Sequence, residues 1–280
     1  WDMTRDAEVS TGDFVQLVLA GIETETDIGV VQGVLRQARM AIDQFAADSH
    51  RHEYLVLLAR RTLELARRSE PGSDRQLAFT RSFASSATTS VHLATVAALL
   101  DGTEQWDGLV IDTDLRWFLL LQLVSAGLRG NDDIATELAS DDTATGRRQA
   151  ATARASVPTA EAKQWAWEEI FHNADLPNAM LEAAIAGFAD RDHRDLTDAC
   201  LDSYFDALPG VWAERTMEIA QSITMGLFPI YSIEDSTIDR ADRFLASDPS
   251  PALARLVAEG RDGLLRAQRA RERDGDSAAD

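Results

Sequence analysis

Apolar positions recur at helical spacing along almost the whole chain. Ile28, Val31, Val34, Leu35, Ala38, Ile42 and Phe45 form one stripe, with Arg36, Arg39, Asp43 and Asp48 on the other faces. That is the pattern of an amphipathic helix. Before it, Ser10-Thr11-Gly12-Asp13 places an acid three residues after a hydroxyl, a helix start, and Val15, Leu17, Val18 and Ile22 follow. After it, Leu55, Leu58, Leu63 and Leu65 lead to Arg67-Arg68, cations suited to the negative end of a helix dipole. Pro71-Gly72-Ser73-Asp74 then stops that helix and caps the next. The stretch Val110 to Leu128 is apolar on nearly every side, so its helix should be buried all round, with Asp112 and Thr113 as caps. A last helix runs from Ala252 through Leu253, Leu256, Val257, Leu264 and Leu265, and the polar run Asp274 to Asp280 reads as a disordered tail. Gly108-Leu109-Val110-Ile111 is the only short strand candidate, placed here as the lead into the Asp112 cap.

Breaks at Gly72, Gly102, Gly130 and Pro158 are spaced by 30, 28 and 28 residues. Each interval has room for two helices, as a helical-hairpin repeat would. Prolines 177, 209, 229 and 249 continue the punctuation less evenly. The pattern predicts an all-α chain, an irregular α-solenoid of paired antiparallel helices. No internal linker is long or polar enough to divide it, so residues 1–273 read as a single domain.

Composition narrows the partners. The 280 residues are 45% hydrophobic, enough to bury a sizeable core. The formal charge is -20, from 27 basic and 47 acidic residues. Nucleic acid is argued against, because phosphate binding needs cations that replace counterions, and so is an anionic membrane surface. The acidity serves solubility or the steering of basic peptides. No segment approaches the roughly twenty mainly apolar residues that span a bilayer. The single Cys200 can form no internal disulfide, which suits a reducing, cytoplasmic compartment, and it reads as a small buried apolar residue. Lys163 is the only lysine; with so much Ala and Asp, that reads as codon bias. The chain opens Trp1-Asp2-Met3, as a piece of a longer polypeptide would.

Candidate chemistry is sparse. His52-Glu53-Tyr54-Leu55-Val56 begins like the zinc-protease helix His-Glu-x-x-His, but Val56 stands where the second ligand must be. His50 and His52 point to different sides of a helix, with no Cys or acidic cluster at ligand spacing. Asp132-Asp133-Ile134-Ala135-Thr136 resembles an aspartate-rich motif but ends in Thr and follows Gly130-Asn131, where caps belong. Asp141-Asp142-Thr143 receives the same reading. His172 and His193 read as surface residues at helix ends. No Gly-rich phosphate loop and no Gly-x-Ser-x-Gly elbow occurs. Asp112, Asp114 and Arg116 read as a cap with an ion pair, since Arg116 follows Asp112 by four residues. Trp165, Trp167, Phe171, Trp212, Phe228 and Tyr231 are candidates for lining a peptide groove, although aromatics at helical spacing more often belong to a core. No catalytic, cofactor-binding or metal-binding residue is assigned.

Four stretches carry a resemblance. Gly12-Asp13-Phe14-Val15-Gln16-Leu17-Val18-Leu19-Ala20-Gly21, Asp112-Thr113-Asp114-Leu115-Arg116-Trp117, Pro158-Thr159-Ala160-Glu161-Ala162-Lys163 and Val257-Ala258-Glu259-Gly260-Arg261 occur in this order. Together they resemble the C-terminal helical region of bacterial aminopeptidase N, a family of gluzincin zinc aminopeptidases. The resemblance implies a HEAT-like, bowl-shaped domain that closes over a catalytic domain lying N-terminal to this chain. It implies that the domain lines a chamber for peptide substrates, and that the parent enzyme holds the zinc. The catalytic signatures of the family are not found in these residues, so none is carried over, and the chain is expected to be inactive alone. The alternative is a freestanding helical-repeat scaffold that binds a peptide or protein.

Overall fold

The computed structural model describes residues 1–276, and these are helical with no strand among them. Packing divides the chain into two compact units. The first holds Trp1–Leu123 together with the chain from Arg266 on, and the second holds Val124–Leu265. The sequence offered no linker at that division because helices run across it: α7 and α16, defined below, each span a boundary.

In the first unit the helices are α1 (Asp2–Arg5), α2 (Thr11–Gly21), α3 (Ile28–Gln44), α4 (Asp48–Arg68), α5 (Asp74–Ser85) and α6 (Ser90–Leu100), followed by α7 (Thr113–Ser125). Side-chain oxygens start most of them. Ser10 Oγ accepts from Asp13 N–H, Asp27 from Gly29 and Val30, and Ser73 Oγ from Gln76. Each satisfies donors that a helix start leaves free, which is why these polar residues sit where the apolar stripes begin. The stripe expected in α3 is buried at Val31, Leu35, Ala38 and Ile42. Leu55, Leu58, Ala59 and Leu65 of α4 are buried with Phe79 and Phe83 of α5, and α4 packs most extensively on α5. Residues Leu115, Trp117, Leu119, Leu120, Leu123 and Val124 of α7 are all buried, but Phe118 and Leu121 are half-buried and Val110 and Leu128 beyond its ends are exposed, so the helix is not buried all round as its apolar run predicts.

In the second unit the helices are α8 (Asn131–Ser140), α9 (Ala144–Ala155), α10 (Ala160–Phe171), α11 (Asn178–Phe188), α12 (Arg194–Thr197), α13 (Leu201–Glu214), α14 (Met217–Gly226), α15 (Asp235–Ala246) and α16 (Pro251–Asp276). Neighbours in sequence pack on one another, α8 on α9, α10 on α11, and α13 on both α14 and α15, while α9 packs on α11. Close approach is bought by glycine: a Cβ on Gly187 would lie 2.1 Å from the Thr152 carbonyl oxygen. Of the Asp132-Asp133 pair, Asp133 takes part in the expected cap, its carboxylate accepting from Gly130 N–H at 2.9 Å, while Asp132 is exposed.

Three expectations are corrected. Pro209 does not break a helix but lies inside α13. The interval from Gly102 to Gly130 holds α7 alone, with a non-helical run before it, rather than two helices. Asp274–Asp276, assigned to a disordered tail, form the end of α16; residues 277–280 of that expected tail lie outside the described residues.

Candidate functional site

The aromatic candidates separate into three places. Phe228 and Tyr231, on the connection between α14 and α15, meet Trp167, Phe188, Tyr204 and Cys200 around a narrow cavity in the second unit, with about 30 Å³ free. Trp167 stacks on Phe171 with ring centroids 4.2 Å apart. Phe228 is 4% exposed and stands edge-on to Tyr204 and Phe205; its far side fills the space over Gly260, where a Cβ would lie 2.6 Å from the ring. It is therefore chiefly a core residue, whereas Tyr231 is half-buried. Trp165 and Trp212 do not line this cavity. Trp165 lies under the Arg154 guanidinium at 3.8 Å, a cation–π contact, and Trp212 donates its indole N–H to Thr224 Oγ1 at 2.9 Å. Cys200 is half-buried, and burial pushes its thiol up. A raised thiol is a poor nucleophile at neutral pH.

The polar candidates are structural in their contacts. The Asp112 carboxylate accepts from Leu115 N–H at 2.9 Å, capping α7. Asp114 pairs with Arg81 of α5. Arg116 donates to the Leu100 carbonyl at the end of α6, 3.2 Å away. His52 and Glu53 are exposed. His193, expected at the surface, is 4% exposed; its Nε2 lies 2.8 Å from the Ser125 carbonyl at the end of α7. Among the described residues no group of three or more His, Cys, Asp or Glu could hold a metal ion.

Two charges that the sequence reading passed over are buried and make several hydrogen bonds each. Asp274 has a fully buried side chain. Its carboxylate accepts from Gly12 N–H (3.1 Å) in the first turn of α2 and from Ala47 N–H (2.9 Å), the N-cap residue of α4. Tyr54 Oη donates at 3.3 Å, and His50 Nδ1 lies at 3.3 Å. One anion thus serves the positive ends of two helices, an arrangement favoured by free amides and aligned dipoles. Burial, with the neighbouring Asp274 charge, pushes the Tyr54 phenol up, so it stays a donor.

In the second unit Lys163 is the counterpart. It is 2% exposed, and its ammonium donates to the carbonyls of Ala155 (2.7 Å), Gly187 (3.1 Å) and Phe188 (2.9 Å). These are the last carbonyls of α9 and α11, the negative ends of two helices. Burial lowers its pKa to about 8, and the Asp190 carboxylate pulls the other way. The scarcity of lysine does not explain the position of this one. Three fixed carbonyls match the three hydrogens of an ammonium. The signal available in the sequence was a lone cation within an otherwise apolar helical face, Lys163 with Ala166 and Ile170.

The arrangement defines a helical scaffold whose buried charges join helix ends and whose described residues assemble no metal-type cluster of three or more His, Cys, Asp or Glu. The chain belongs to the ERAP1-like C-terminal domain family, which matches residues 1–266. It is 49% identical over 279 residues to Aminopeptidase N of Streptomyces lividans. That match takes in 99% of this chain and 33% of the relative, so the chain spans about a third of the length of that protein. No helix among the described residues is long and apolar enough to cross a membrane.

Proposed function

We propose that the chain is the C-terminal part of a cytoplasmic zinc-dependent aminopeptidase, in which it caps the catalytic domain and lines the chamber that admits peptides. The observation that carries this reading is the match of nearly the whole chain to one third of an aminopeptidase N. The residues described here do not fit a zinc site: His50 is committed to Asp274 and Tyr54, and no ligand cluster converges. No step through zinc is assigned to them. The zinc and the bond-breaking groups belong to the part of the enzyme that precedes this chain.

What this chain supplies is a wall. Lys163 and Asp274 fix the ends of four helices, and a fixed wall orients a peptide without spending binding energy on its own ordering. Remote contacts of that kind aid orientation at the reacting bond. Tyr231 and Trp167 are the aromatic side chains of the cavity that remain partly exposed. The test compares the isolated chain with the full-length enzyme on an aminoacyl p-nitroanilide, with and without a zinc chelator. Turnover should occur only in the full-length enzyme and be lost on chelation; full-rate turnover by the isolated chain would sink the reading. Tyr231→Ala should raise KM for peptides of several residues while leaving the p-nitroanilide unchanged.

A further inference from the structure

Charge is spread over every helix but one. Among the described residues α6 (Ser90–Leu100) is the single helix without Asp, Glu, Lys or Arg, in a chain where those residues make up 26%. Its one titratable side chain, His92, stands edge-on to Phe83. Burial lowers the His92 pKa, so it too is neutral at pH 7.

A helix without charge belongs in a core, and α6 does not lie in one. It packs chiefly on α5, and its buried residues are Val96, Leu99 and Leu100. On another side Val91, Ala94, Thr95 and Ala98 recur at the i, i+3, i+4, i+7 spacing of one helix face. Val91 is 72% exposed, Ala94 is exposed, and Thr95 and Ala98 are half-buried. The one hydroxyl on this stripe is already used, Thr95 donating to the Val91 carbonyl at 3.2 Å. Covering the stripe therefore strips no ion of its hydration and orphans no side-chain donor.

Size says what can cover it. The 11 residues of α6 rise about 16 Å, and at a helix width of about 10 Å one face offers roughly 160 Å². A separate protein, or a second copy of this chain, needs about 800 Å² per partner for a stable complex. A surface on the same polypeptide is free of that requirement, because tethering sets its effective concentration at about the mM level. The chain matches 33% of the Streptomyces lividans relative, so most of such a polypeptide lies outside these 280 residues.

We propose that the Val91–Ala98 face of α6 is the seat on which the rest of the parent polypeptide docks, through an uncharged, apolar surface of its own. This docking rests on the peptidase reading, in which the chain is one part of a longer enzyme, and it names the helix that makes the contact. Interface centres are depleted of charge, as this face is.

Hydroxyl-radical footprinting, read by mass spectrometry, tests the docking. In the full-length enzyme Val91 should oxidise at least fivefold more slowly than in the 280-residue chain. Ala94→Arg puts a charge in the middle of the stripe, at a position exposed in this chain. It should return Val91 of the full-length enzyme to at least half its free rate, while leaving the melting temperature of the 280-residue chain unchanged. Equal Val91 rates in the two proteins, or protection that survives Ala94→Arg, overturns the proposal. So does slow oxidation of Val91 in the 280-residue chain that disappears on dilution, since that would seat a second copy on the face. Full-rate aminopeptidase turnover by the 280-residue chain would overturn the peptidase reading beneath the docking. A full-length enzyme that loses turnover on chelation while its Val91 stays open would overturn the docking alone.

Discussion

Replacing Lys163 by Met keeps the length of the side chain and removes the ammonium. The three carbonyls it serves, those of Ala155, Gly187 and Phe188, lie at buried helix ends. Each buried acceptor left without a donor costs about 1–3 kcal/mol, partly offset because a buried charge no longer has to be desolvated. Removing one side of a buried charged contact typically costs about 3–5 kcal/mol. At about 2–4 °C per kcal/mol for a domain of this size, the melting temperature should fall by roughly 6–20 °C. Thermal unfolding followed by far-UV circular dichroism at pH 7 reads this directly. A pH series adds the sign. Burial lowers Lys163 from 10.5 to about 8, so between those values the unfolded chain binds more protons than the folded one. Stability then rises with pH across that window. The advantage of native over Lys163→Met should therefore grow from pH 8 to pH 10.5, by up to about 3 kcal/mol. A variant melting within 2 °C of native at pH 7 would refute the joining role. An advantage that stays flat or shrinks above pH 8 would refute the account of the buried charge.

Asp274→Asn turns one acceptor oxygen into a donor facing other donors, and should destabilise the first unit by about 2–4 kcal/mol in urea unfolding; an unchanged midpoint would contradict the double-cap geometry. Gly12→Ala places a Cβ 2.5 Å from Tyr54 Oη and should cost about 1–3 kcal/mol by overpacking, with Tyr54→Phe recovering part of the loss; additive effects of the pair would show that the clash lies elsewhere. Arg116→Ala removes the donor to the Leu100 carbonyl and should lower the melting temperature measurably, and a value unchanged within error would count against a structural role for this residue.

The fold was legible where local chemistry acts alone. Ser10, Ser73 and Asp112 announce helix starts because a side-chain oxygen three residues ahead of a free N–H has one obvious use, and the structure places each there. The burial of Leu115, Trp117, Leu119, Leu120, Leu123 and Val124 followed from the apolar run of α7, although Phe118 and Leu121 keep a half-buried side that the run alone does not show. What local patterns could not show is where distant segments return. Asp274 sits in a polar, charged stretch that resembles a fraying end, and only its approach to Gly12 and Ala47, more than 220 residues away in sequence, makes it a buried cap. Lys163 is passed over and His193 misread for the same reason: each is polar in its own segment and meets the carbonyl end of other helices. Of the aromatic candidates, Phe228 and Tyr231 do share a cavity, while Trp165 and Trp212 are each turned to a different neighbour, which helical spacing alone does not distinguish.

The burial of Lys163 also decides how this chain meets reagents. Its surface carries arginine but no lysine ammonium, so succinimidyl esters and amine-directed cross-linkers find no lysine side chain to modify while the second unit is folded. Opening that unit frees one primary amine at a known position. Acylation of Lys163, read as a single mass increment on one peptide, is therefore a built-in reporter of unfolding that needs no engineered label.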